Sequence, residues 1–263
     1  MSKTCRVRPT ILLATLSVLW MLPVAAVVYE AVVSRSVQAL PRGAAAPGIA
    51  RAAAITFLVS LVSAVASCTF GAMAGYALSA KRFYGMKLLL GALLGAMFLP
   101  ASILMVPVFR VAASLGIYDT IAALVLPSCV TAFSVVFMKA AIDRISPDIF
   151  HAARIDGLGE SAIFVKIVLP LVRGPIIALG VIEFVAGIGA MAVPMAVVDS
   201  PRNYTLTLRL LDAMGGINPP PPASLIVILA LIAIPSVVLF IAKWGDIISG
   251  LLAALFRYER VDE

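Results

Sequence analysis

Residues 143–173 read Asp143-Arg-Ile-Ser-Pro-Asp-Ile-Phe-His-Ala-Ala-Arg-Ile-Asp-Gly-Leu-Gly-Glu-Ser-Ala-Ile-Phe-Val-Lys-Ile-Val-Leu-Pro-Leu-Val-Arg173, a polar interval between two long apolar runs. Ser146 followed by Pro147 is a helix start, with a capping hydroxyl and then a proline where no amide donor is needed. Asp148 sits at the positive end of the helix dipole. Gly157 suits a left-handed stop. A second short amphipathic segment is expected over about 159–168, closed by Pro170. Two short helices meeting at a glycine make a compact knob.

What flanks the knob fixes its setting. The chain has 263 residues, 62% hydrophobic and 13% charged. A soluble domain runs about 45–50% apolar and about 25% charged, so the solvent expected here is a bilayer. Crossing about 30 Å of hydrocarbon takes roughly 20 helical residues. Six runs qualify, at about 10–33, 52–79, 88–109, 120–142, 174–198 and 224–248. The expected fold is all-α and integral to the membrane, a single transmembrane domain over 1–263 with six transmembrane helices. The first run is too long for a signal-peptide core and lacks a small-residue cleavage site, so it reads as a retained span.

Basic side chains set the orientation. With the N-terminus inside, Arg35, Arg42, Arg51, Arg110, Arg202 and Arg209 fall outside, and the other fourteen of the 20 Lys and Arg fall inside. Both termini and the 143–173 loop are therefore expected in the cytoplasm. The pI of 9.6 does not indicate nucleic acid, because the cations are scattered singly or in pairs between apolar runs. Cys5, Cys68 and Cys129 have neither disulfide nor metal-ligand spacing, and His151 is the sole histidine, so no metal site is expected.

Within the spans, Gly71/Gly75 and Gly91/Gly95 each lie four apart and offer small surfaces for close helix approach. Pro23, Pro100, Pro107, Pro194 and Pro235 each remove a backbone donor in or near a span. Glu183 lies deep in the fifth run, where a carboxylate costs a few kcal/mol and faces a bundle interior or cavity. Contact with a polar solute, pairing with a partner subunit, and a neutral hydrogen-bonded state all remain open for it. The outer loop 199–223 holds Tyr204, Arg209 and the run Pro219 to Pro222, which stiffens it.

The 143–173 loop resembles the "EAA" loop of the permeases of bacterial binding-protein-dependent ABC importers. Pro147, Ala152, Ala153, Asp156, Gly157, Leu169 and Pro170 stand at the matching spacings, and His151 replaces the usual glutamate. Ala74-Gly75-Tyr76-Ala77-Leu78, Phe98-Leu99-Pro100, Leu115-Gly116-Ile117-Tyr118-Asp119-Thr120 and the tail from Pro235 are similar to the maltose-type carbohydrate permeases, and the likeness covers about 70–260. The resemblance implies the type I permease fold in the bacterial inner membrane, with the loop as coupling helices docked on an ATPase. It places coupling on His151, Ala152, Ala153, Arg154, Asp156 and Gly157. No Gly-x-x-x-x-Gly-Lys-Ser/Thr stretch occurs in the chain, so ATP and Mg are expected on partner subunits and no cofactor on this one.

The resemblance further implies a second permease subunit, forming a heterodimer, two ATPase subunits and an extracellular or periplasmic binding protein. The chain itself would be a transport subunit and not an enzyme. Sugar permeases of this type carry Trp-Asn in the fifth span, four residues after a Phe and before a Pro. Phe184 and Pro194 keep that frame, while Ile188 and Gly189 occupy the Trp-Asn positions. With Glu183, these are the substrate-pathway candidates. A sugar or related polar solute is the expected cargo, against a polyamine or phosphorylated polyol, or a membrane scaffold that transports nothing.

Overall fold

The computed structural model describes residues 48–80 and 83–215, the side chains of 213–215 excepted. The runs at 10–33 and 224–248, Lys81, Arg82 and the prolines 219–222 lie outside the described residues. All regular structure among those described is helical.

Helix α1, Ile49–Ala80, has 32 residues and rises about 48 Å at 1.5 Å per residue, more than a bilayer core requires. Its buried stripe is small and partly polar, including Ala52, Thr56, Ser60, Ser63, Ser67, Gly71 and Gly75. Its exposed residues include Phe57, Leu58, Leu61, Val65 and Phe70. Large apolar groups outside and small ones within are what lipid selects, since packing alone holds helices together there.

The stripe seats two other helices, α5 (Ala132–Ile142) and α9 (Arg173–Ile188). A Cβ placed on Gly71 would lie 2.9 Å from the Ser134 Cβ, and one on Gly75 2.7 Å from the Lys139 amide nitrogen. The expected close approach at Gly71 and Gly75 is thus present. Gly91 and Gly95 differ, with nothing among the described residues within 4 Å of either added Cβ.

The run at 88–109 is not one straight span. It forms α2, Met86–Met97, and α3, Ala101–Ser114, bent by 107°. The last turn of α2 tightens as the Phe98 and Leu99 amides donate to Gly95 and Ala96 carbonyls at 3.1 and 3.2 Å. Pro100 then takes an extended backbone, φ −59° and ψ 135°, and its carbonyl accepts from Ile103.

The fourth run holds: Ile121–Ile142 is long and apolar enough to cross a membrane. It comprises α4 (Ile121–Val125), a 3-10 turn over Leu126–Ser128, and α5. Thr120 and Thr131 restart the helix, accepting from the Ala123 amide at 3.3 Å and the Ser134 amide at 3.0 Å.

The 143–173 loop opens with α6, Pro147–Ile155, where the Asp148 amide donates to the Ser146 hydroxyl at 3.4 Å. Gly157 has φ +79°. Its amide donates to Arg154, and the Leu158 amide to Ala153, a Schellman stop. The expected closure at Pro170 is displaced. Helix α7 (Glu160–Ile163) continues through a π turn (Phe164–Val168) into α8 (Leu169–Leu171), and the chain bends by 77° at Val172. The wide turn just before Pro170 accommodates a residue with no amide to donate.

The fifth run is also divided. α9 stops at Ile188, and α10 resumes at Ala192–Val197. The Ala190 carbonyl freed by this break accepts from the Thr207 hydroxyl at 2.7 Å. A 3-10 turn, Pro201–Asn203, and α11, Leu206–Gly215, complete the described chain. One apolar core joins the loop to the helix ends through Tyr76, Met138, Ile142, Ala153, Ile163 and Leu179. A second core, with Ile55, Leu124, Val197 and Leu208, closes the opposite end.

Candidate functional site

Helix α6 presents one face outward and roots the other. His151, Ala152, Arg154, Asp156 and Gly157 are exposed. Ala153 is 4% exposed and belongs to the chain's own core, so the two alanines divide between surface and interior. Ile155 stands out at the turn, 85% exposed.

The knob is tied down at its base. The Tyr76 hydroxyl donates to Glu160 Oε2 at 2.6 Å, and the Arg154 Nε–H donates to Glu160 Oε1 at 3.1 Å. The Tyr76 ring lies 6.2 Å from that of Phe150 and 5.5 Å from that of Phe164. Tyr76, Glu160 and Ile155 were not among the coupling residues expected from sequence. Partners 84 positions apart leave no mark in local spacing.

The opposite end is locked by Asp119, at φ +57°. Its carboxylate accepts from the Asp199 amide at 3.2 Å, the Ser200 amide at 3.1 Å and the Ser200 hydroxyl. Its carbonyl accepts from the Asn203 side chain at 2.6 Å. The Ser200 hydroxyl chiefly, with both amides, holds the carboxyl well below the usual range, at about 2.

Between the two ends lies a cavity of about 210 Å³ lined by Ser60, Ser63, Ser128, Thr131, Glu183 and Thr205 among others. The Thr131 hydroxyl donates to Glu183 Oε1 at 2.7 Å. The other two pathway candidates are elsewhere. Ile188 is buried against Ala64 and Phe184, and Gly189 is exposed at the end of α9. The structure does not bring the three together. Ser60 and Ser63, which do meet Glu183's cavity, had a sequence signal, since with Ser67 they recur three and four apart in an apolar run.

Residues 67–246 match the family of the binding-protein-dependent transport system inner membrane component. The chain belongs to that family, and is therefore a multi-pass inner-membrane protein. It is 32% identical over 152 residues to the arabinooligosaccharides transport system permease protein AraQ of Halalkalibacterium halodurans, covering 58% of this chain and 54% of that one. It is 26% identical to the trehalose transport system permease protein SugB of Mycobacterium tuberculosis, over 76% of this chain and 74% of that one. Against the sn-glycerol-3-phosphate transport system permease protein UgpE of Rhizobium meliloti the identity is 27%, over 72% and 68%. The match to AraQ thus spans about half of that relative's length. A crystal structure of a bacterial ABC transporter involved in import of the acidic polysaccharide alginate has a chain of the same fold. Its TM-score is 0.75 at 17% identity, covering 94% of this chain and 98% of that one.

Proposed function

We propose that this chain is one transmembrane subunit of an ATP-driven importer, forming half of the pathway for a sugar or related polar solute. The single observation that carries the coupling part is the exposed turn Ile155-Asp156-Gly157, raised on a helix whose inner face is anchored in the core. An exposed apolar side chain beside a tight turn, on a rooted support, is a shape that a second protein can grip and move. Family membership supports the class of partners: two ATPase subunits carrying ATP and Mg, a second permease subunit and a binding protein outside the membrane. The bias of basic residues supports cytoplasmic termini and a cytoplasmic loop. ATP-driven closure of the ATPases then pulls the knob and turns the bundle by alternating access.

Sugar cargo is supported by the names of the arabinooligosaccharide and trehalose permeases. A second reading, a phosphorylated polyol or other non-sugar solute, is favoured by Ile188 and Gly189 at the Trp-Asn positions and by the likeness to the sn-glycerol-3-phosphate permease. Ligand identification on the cognate binding protein separates the two.

The coupling role is tested with Ile155→Asp and Gly157→Leu in the assembled complex. Among the described residues no atom lies within 4 Å of a Cβ at Gly157, so its cost there is that of a left-handed backbone. Both variants are expected to insert normally and to lose substrate-stimulated ATP hydrolysis. Normal uptake and hydrolysis in both would refute the coupling role of the turn, and an intact assembly with no ATPase subunit would leave a scaffold.

A further inference from the structure

We propose that the cavity between α1, α9 and the Leu124–Thr131 stretch ahead of α5 binds a compact monovalent cation, an alkali ion or an ammonium group, through Glu183, Ser60, Ser63 and Thr131. Ser60 is fully buried and Ser63 is 5% exposed, yet neither hydroxyl has a hydrogen-bond partner among the described residues. Ser67, one turn along the same stripe, shares that condition. Leaving a buried hydroxyl unpaired costs about 1–3 kcal/mol.

Other hydroxyls on the same helix avoid the cost by donating to the carbonyl four residues back. Thr56, Thr69 and Ser79 do so at 2.8 Å each. Ser60 and Ser63 instead line the cavity. The pairing of α1 with α9 sets Glu183 against this stretch. Gly187 abuts Ser60 on one side of it, and Gly180 abuts Cys68 on the other.

The chemistry of the lining selects the ligand. Its one charged side chain is Glu183, and its other polar side chains are the hydroxyls of Ser60, Ser63, Ser128, Thr131 and Thr205. An all-oxygen set suits a hard cation and not zinc or copper. A single carboxylate balances one positive charge, whereas calcium sites use several carboxylates. A carboxylate at this depth also gains most from a counter-charge. The volume, about 210 Å³, admits an ion with a few waters at about 30 Å³ each, and excludes an oligosaccharide. Ser60 and Ser63 also precede the family-matched residues, which start at 67.

The test is thermal unfolding of the purified full chain in nanodiscs, titrated with sodium, potassium or methylammonium chloride against choline chloride at constant ionic strength, so that screening is equal. A saturable rise in midpoint with at least one compact cation over choline is expected, and the responding arm identifies the source. Glu183→Gln should abolish the rise. The Ser60→Ala/Ser63→Ala double variant, which removes hydroxyls without adding bulk, should move half-saturation upward by about tenfold. Equal protection by choline, or unchanged half-saturation in the serine variant, overturns the proposal. Should Glu183→Gln fail to fold, the serine variant decides alone.

Discussion

Tyr76, near the end of the 32-residue helix α1, donates its hydroxyl proton to Glu160 across 2.6 Å, joining a spanning helix to the 143–173 loop. The same carboxylate accepts from Arg154 on α6. Glu160 is therefore where the knob and the helix meet, while the rings of Phe150 and Phe164 keep Tyr76 in place.

Tyr76→Phe preserves those ring contacts and deletes the bond. The expected cost is about 1 kcal/mol, felt locally. Hydrogen exchange should speed up across residues 146–160 while the middle of α1 keeps its protection. Unchanged exchange in the loop would mean that the aromatic packing alone holds it.

The two glycine pairs make a matched comparison. Gly75→Ala drives a Cβ to 2.7 Å from the Lys139 amide nitrogen, a backbone atom that cannot step aside. A loss of about 1–3 kcal/mol is expected. Gly91→Ala meets nothing within 4 Å among the described residues and should be neutral, or gain up to about 1 kcal/mol from helix propensity. Thermal unfolding of the two variants side by side checks this, and equal effects would contradict the helix contact.

How much of this was legible beforehand differs by feature. Ser146, Pro147 and Gly157 announced their helix because capping and left-handed stops are local chemistry. The stretch 52–79 announced α1 because hydropathy needs no neighbours to be read. Hydropathy is blind to direction, however, so in the run at 88–109 only Pro100, with its missing donor, pointed to the 107° bend at Phe98–Pro100. Pro170 pointed to a helix end, but a π turn absorbed it and the bend fell at Val172. In the candidate sites, Glu183 drew notice by its charge alone. Its partner Thr131 is 52 positions away, and only the fold brings the two together.

Asp119 supplies a pH-dependent prediction. Its carboxyl is held at about 2 in the folded protein, below the ordinary unfolded value near 3.9. A depressed folded value adds stability that is complete above the unfolded one and disappears as pH falls towards 2. The native chain should lose thermal stability between about pH 4 and 2. Asp119→Asn should start about 1 kcal/mol lower at neutral pH, discounting for solvent, and lose less over that window. Parallel acid profiles would assign the loss to other carboxylates.

The contact at Gly75 has a mechanical corollary. Because α1 meets α5 there with no side chain of its own between them, the two helices have no slack in which to approach further. Residues just beyond α5 lead straight into the knob. A tug on that knob would therefore act on α1 and α5 together, as one stiff two-helix beam.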